Sequence, residues 1–346
     1  MSGKIAKPDC GRIVLGLSEH RPELVPFFAA EMACSDVIFL EEPGTPGFRQ
    51  MLNGSLSIDD YLQQVDVEFP VFSRSMCGLL QDLHRQGKEI VQVEPFLEFL
   101  QGIHDFFADG NRPGDIRKNT AQSAVYDAER NATTALIGYY RAASGGSFEQ
   151  TLDAVRRFAR SDAARFRLRD GMRARVLAAL VPSSGSVYIE AGSIHYLMWR
   201  QLRRLLTCPE YLRVVFWDDM ALREAGKKGH LYGPGDLLTL LYIFHPGFSN
   251  PERETLLAAR SIVHAKVSAK EESERGDVSL QPIVDERHLI ETIGELSMND
   301  CRQLFPIIRT LDTRQARSLV LDYLDSESHH RSGASTPAPG ELGVNS

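Results

Sequence analysis

Residues Arg12-Ile13-Val14-Leu15-Gly16-Leu17-Ser18-Glu19-His20 form a short apolar run that closes on a glycine and then a histidine. Far downstream, Ser186-Val187-Tyr188-Ile189-Glu190-Ala191-Gly192-Ser193-Ile194-His195 repeats the layout. A strand followed by Gly and then His puts an imidazole at a strand's C-terminal end, where open α/β sheets gather ligands and reactive groups. Two such histidines point to one shared site.

Working outward, three more β-branched and apolar runs read as buried strands: Asp36 to Leu40, Glu89 to Val93 and Leu212 to Trp217. Helical pattern separates the first three strands. Arg21 to Ala33 carries the stripe Leu24, Phe27, Phe28 and Met32 behind Pro22, and Phe72 to Gln86 ends at Gly87. This alternation predicts a mainly parallel sheet covered by helices, an α/β fold. Between the third and fourth strands the pattern is helical: Pro95 to Phe107, Ile116 to Ala142, a helix opened by Ser147 with Gln150 as a capping box and ending near Arg160, and a further helix capped by Asp162 and reaching about Leu180.

The expected organisation is therefore a core over residues 1–222 with a large helical insertion at about 95–180. A helical C-terminal lobe follows over 223–325, and then a disordered tail over 326–346. In the lobe, Pro251 to Lys270 reads as a helix, a polar link spans Glu271 to Asp277, and two or three short helices lie between Pro282 and Leu324. The tail is rich in Ser, His, Gly and Pro and has too little apolar surface to offset the entropy of ordering.

The chain has 346 residues, 43% hydrophobic and 25% charged, so it can bury a substantial core. Its net charge of -7 argues against nucleic acid as a partner, since phosphate neutralisation needs a basic surface. No apolar run approaches bilayer length and the first residues are polar, so no membrane association and a cytoplasmic location are expected. Five scattered cysteines without a C-x-x-C pair suggest reduced, buried thiols.

Acids mark the strand ends: Glu19 beside His20, Glu41-Glu42, Glu94, Glu190, and Asp218-Asp219. In a parallel sheet these ends share one edge, and carboxylates crowded there shift one another's pKa values. Arg165, Arg169 and Arg173 recur every four residues and stack on one helix face, with Arg169, followed by Asp170, the member expected to reach the sheet edge or an anionic substrate. The candidate site is thus His20, Glu19, Glu41, Glu42, Glu94, Arg169, Glu190 and His195. His20, His195 and Glu42 could instead hold a divalent metal ion. His84, His104, His230, His245, His264 and His288 are taken as structural. No G-x-G-x-x-G, P-loop, H-E-x-x-H or G-x-S-x-G is present, which removes most support for nucleotide-dependent and serine-hydrolase chemistry.

Taken together, the Gly16 to His20 motif, Glu41 or Glu42 after the second strand, Arg169-Asp170 on a helix, and Gly192-Ser193-Ile194-His195 resemble the superfamily that joins erythromycin esterase, the ChaN haem-binding lipoproteins, and the TraB/GumN and Tiki proteins. The likeness runs from about Arg12 to Leu206, and the spacing from Gly16 to His20 is similar to that of the esterases. The resemblance implies an α/β core and activities ranging from ester hydrolysis through metal-dependent peptide cleavage to haem binding. From residues and resemblance the expected function is hydrolysis of an ester or amide in a small molecule or peptide. One histidine would act as base, with a carboxylate to orient it and Arg169 to steady the oxyanion. The competing expectation is a non-enzymatic module that holds a ligand, metal or haem in the same pocket and contacts a protein partner through its C-terminal lobe.

Overall fold

The computed structural model describes residues 11–65, 67–182, 184–268 and 279–333, with side chains to Ser326. In chain order the core begins β1 (Ile13–Ser18), α1 (Val25–Ala33), β2 (Val37–Leu40), α2 (Phe48–Leu52), α3 (Ile58–Leu62), α4 (Pro70–Arg85) and β3 (Glu89–Gln92). The insertion supplies α5 (Pro95–Ala108), α6 (Ala121–Gly145) and α7 (Phe148–Leu180). The core then closes with β4 (Val187–Gly192), α8 (Tyr196–Leu205), β5 (Leu212–Phe216) and α9 (Trp217–Glu224). The lobe is α10 (Pro234–Phe244), α11 (Pro251–Val267), α12 (Gln281–Gly294), α13 (Met298–Ile308) and α14 (Thr313–Gly333).

All five strands are parallel, in the order β3-β2-β4-β1-β5. The expected α/β class with a helical insertion and a helical lobe is what the fold shows. Strand alternation sorts the side chains onto two faces. Val14, Ile38, Leu40, Ile90 and Tyr188 pack beneath α1, α2, α3, α4 and α9. Ile13, Leu15, Leu17, Phe39, Ile189 and Ala191 pack against α7 and α8. From β1 the chain travels past the β4 position to β2, and from β4 it travels past β1 to β5. Connections that leave adjacent strands in opposite directions open a crevice at their C-terminal ends.

Gly16 is required by packing. A Cβ there would lie 2.1 Å from Tyr188 Oη and 2.5 Å from Trp217 Nε1, which donates to Tyr188 Oη at 2.9 Å. The glycine of the first motif thus makes room for a buried hydrogen bond beneath the strand.

Several expectations are corrected. The two helices expected to meet at Asp162 are one helix of 33 residues. Ser147 opens it through the capping box with Gln150, as expected, but Asp162 pairs with Arg165 at 2.6 Å within the helix and caps nothing. No proline interrupts this stretch, so propagation continues through it. The first half of α7 shares an apolar cluster with the lobe (Phe148, Leu152, Val155 and Ala159 with Leu238, Ile262, Leu289 and Leu304), while Ala174 and Leu177 in its second half pack on the sheet. Insertion and lobe therefore share one core. Helix α14 continues to Gly333, past Ser326 where the tail was expected to begin: Leu319, Val320, Tyr323 and Leu324 anchor it on the lobe. Residues 334–346 and the expected link at Glu271 to Asp277 lie outside the described residues. Cys77 and Cys301 are free and buried, but Cys34 is exposed and Cys208 is disulfide-bonded, against the expectation of reduced, buried thiols throughout. No helix among the described residues is long and apolar enough to cross a membrane.

Candidate active site

The C-terminal ends of β1, β4 and β2 lie side by side, with Ser18 opposite Gly192 and Phe39 opposite Ile189. Alternation continues past β2. Phe39 faces α7 and α8 and Leu40 the opposite side, so Glu41 turns toward α7 and Glu42 toward the side of α2 to α4.

Glu41 is the hub on the α7 side. Its Oε1 accepts from Arg169 at 2.8 Å and meets His195 Nε2 at 2.7 Å, and its Oε2 accepts from the Gly192 N–H at 2.5 Å. Arg173 stands 3.8 Å away. Burial disfavours the Glu41 charge, but His195 and Arg169 outweigh it and hold the carboxyl well below its usual range. His195 precedes α8 and its side chain is 5% exposed. Its Nδ1 lies 2.5 Å from Asp170 Oδ1, so both ring nitrogens face carboxylates. Such an imidazole carries two protons and donates both. Burial pulls its pKa down, yet Glu41 and Asp170 together push it up to about 9. Phe166 sets its ring edge-on at 5.2 Å.

The i+4 arginine ladder divides its labour. Arg165 pairs with Glu129 on α6, and Arg169 reaches Glu41 and, at 3.2 Å, Glu94. Arg173, wholly buried, donates to the carbonyls of Val93 and Glu190 and so ties two strand ends together. Glu94 also caps α5 through the Phe96 N–H. Burial raises its pKa, and the two arginines only partly oppose this.

His20 occupies the other side. Its side chain is 33% exposed, its ring packs on Phe69 and Phe72 at 5.7 and 5.1 Å, and its Nε2 lies 3.4 Å from Glu190 Oε1. Glu190 Oε2 accepts from the Glu41 N–H at 2.7 Å, which locks the carboxylate between the two motifs. Burial lowers the His20 pKa, and the Glu190 hydrogen bond and charge more than restore it, leaving it raised. Glu42 accepts from Gln92 Nε2 at 2.9 Å; burial raises its pKa and Glu190 adds to the rise.

Of the eight expected residues, His20, Glu41, Glu94, Arg169, Glu190 and His195 form one contact network, and Glu42 adjoins it. Glu19 stands apart, accepting from Arg21 Nε at 2.6 Å while its N–H faces Asp218. Burial and the Glu19 charge push the Asp218 pKa up to about 7. Arg173 and Asp170 were missed as site residues. Arg173 was within reach of the i+4 argument, whereas nothing local marks Asp170 as a partner of His195.

Among the described residues, His20, Glu41 and Glu190 offer one ligand atom each within 4.8 Å of one another. This group shares only His20 with the expected metal set. His195 has both nitrogens engaged by carboxylates, and Glu42 faces the side of His20, away from His195. Nor does the donor set suit a divalent ion. Glu41 already accepts from three donors, and a dication beside it would face His195, Arg169 and Arg173 as fixed positive charges.

No family model matches the chain, and no solved structure matches it. It is similar to an archaeal protein. That relative, described as an uncharacterized protein from Archaeoglobus fulgidus, is 29% identical over 286 residues, which cover 82% of this chain and 94% of the relative. The likeness extends through most of both chains, beyond the core that carries the two histidine motifs.

Proposed function

We propose that the protein is a metal-independent hydrolase of small esters or amides, in keeping with the resemblance of its motifs to the erythromycin esterase superfamily. The observation that carries this reading is the pairing of a one-third exposed His20 with a buried, fixed Glu190. Glu190 accepts from Nε2–H, which leaves the Nδ1 lone pair to take a proton from water. Arg169, 20% exposed and anchored on Glu41, supplies positive charge where the oxyanion develops. The buried His195, Glu41 and Arg173 hold this arrangement in place. Phe69 and Phe72 form an apolar wall that suits the acyl side of a substrate.

Screening the purified protein and His20→Ala against p-nitrophenyl and alkyl esters and aryl amides, with and without EDTA, tests the reading. Hydrolysis that resists EDTA and falls by about 10²-fold or more in the variant is expected. Loss of activity with EDTA, restored by a divalent ion, overturns the metal-free mechanism; no hydrolysis of any substrate overturns the enzymatic reading in favour of a binding module. A cytoplasmic location and the lack of nucleic-acid partners belong to the same proposal. Thiol titration of protein isolated with its native redox state tests the first, because a disulfide at Cys208 that persists in the cell marks an oxidising compartment.

A further inference from the structure

Glu42 is unlike the three acids of the contact network beside it. Glu41 and Glu94 each meet an arginine, and Glu190 meets His20. Glu42, half-buried, has no cation within ion-pair distance among the described residues. Among the described residues its hydrogen-bond donor is a neutral amide, Gln92 Nε2, at its Oε2. That amide cannot turn around: Gln92 Oε1 accepts from the Thr45 N–H at 3.1 Å, Nε2 is 2.9 Å from Thr45 Oγ1, and Tyr61 Oη lies 2.7 Å beyond. Oε2 is therefore committed to accepting, and among the described residues no hydrogen bond is made at Oε1. The charged and titratable groups around the carboxyl are Glu190, His20, Tyr61 and Cys77.

We propose that Glu42 is the proton donor of the site, a carboxylic acid that carries its proton on Oε1 and delivers it to the leaving group. The inference rests on the hydrolytic reading above. His20 Nδ1 takes a proton from water as the water oxygen bonds to the acyl carbon, and the carbonyl electron pair moves onto oxygen. When that pair returns, the bond from carbon to the leaving oxygen or nitrogen breaks. The departing electron pair takes the Oε1 proton of Glu42, giving free alcohol or amine, a carboxylic acid, a Glu42 carboxylate and a protonated His20. Transfer of the His20 proton to Glu42 restores both. Burial without a cation, beside a second carboxylate, holds Glu42 protonated above the ordinary glutamate range of about 4.3.

The test is Glu42→Gln, which keeps the shape and an acceptor for Gln92. Against an alkyl ester, whose leaving group needs protonation, kcat is expected to fall about 10²-fold, and against a p-nitrophenyl ester about tenfold or less. Equal losses on both esters, or none, overturn the proposal while leaving the hydrolase reading intact. Infrared spectroscopy gives a readout independent of turnover. At a pH just above the ordinary glutamate pKa of about 4.3, the wild-type protein is expected to show a protonated-carboxyl band that Glu42→Gln lacks. Identical spectra in that region overturn the proposal whether or not an ester is hydrolysed.

Discussion

The two histidine motifs begin alike and end in opposite environments. Each follows a parallel strand and a glycine, and Glu190 stands between them. His195 is sealed between Asp170 and Glu41, whereas His20 is open on one side and backed by a single carboxylate. The motif therefore specifies where an imidazole stands; the helices that arrive from elsewhere decide what it does. Helix α7 brings Asp170 to His195, which together with Glu41 makes it a fixed cation. Helix α4 and the residue before it bring Phe72 and Phe69 to His20 and leave it free to exchange a proton.

Removing Glu41 should break the contrast most severely. Glu41→Ala removes the buried carboxylate shared by His195, Arg169 and Arg173, and a loss of about 3–5 kcal/mol in urea-unfolding stability is expected, against less than about 1 kcal/mol for His20→Ala. Equal losses would mean that the two sides are not built differently. Next comes pH. The folded pKa of His195 lies above the unfolded value of about 6.5, so its stabilisation is complete below that value and lost as pH rises through about 9. Thermal unfolding should lose on the order of 3 kcal/mol across this window, and His195→Gln should lack that slope. A smaller effect sharpens the comparison from the other side. Arg169→Met should lower kcat about 10²-fold if the guanidinium steadies an oxyanion, with a larger effect on kcat than on KM. A change confined to KM would restrict Arg169 to substrate binding.

The strands were legible because each is a short β-branched run, and the convergence of Glu41, Glu94, Glu190 and the two histidines followed from parallel topology alone. Glu19 was misplaced because its neighbour Arg21, two residues on, claims the carboxylate, and strand-end position does not reveal such a competitor. The pairing of Asp170 with His195 could not be found from the sequence, although the Arg169-Asp170 motif was visible: it depends on how α7 crosses the sheet, which packing between distant segments sets. The continuity of α7 through Asp162 was readable in principle, because an Asp in a proline-free helical stretch serves an i+3 ion pair as readily as a cap.

The central claim is the division between a locked and a working histidine. Its most direct test is an NMR titration of the ring nitrogens of His20 and His195, assigned with His20→Gln and His195→Gln. The expected result is a His195 that stays doubly protonated through neutral pH and titrates near about 9, and a His20 whose titration shifts down when Glu190 is replaced by Gln. A His195 that is singly protonated at neutral pH, or a His20 unmoved by Glu190→Gln, would contradict the account.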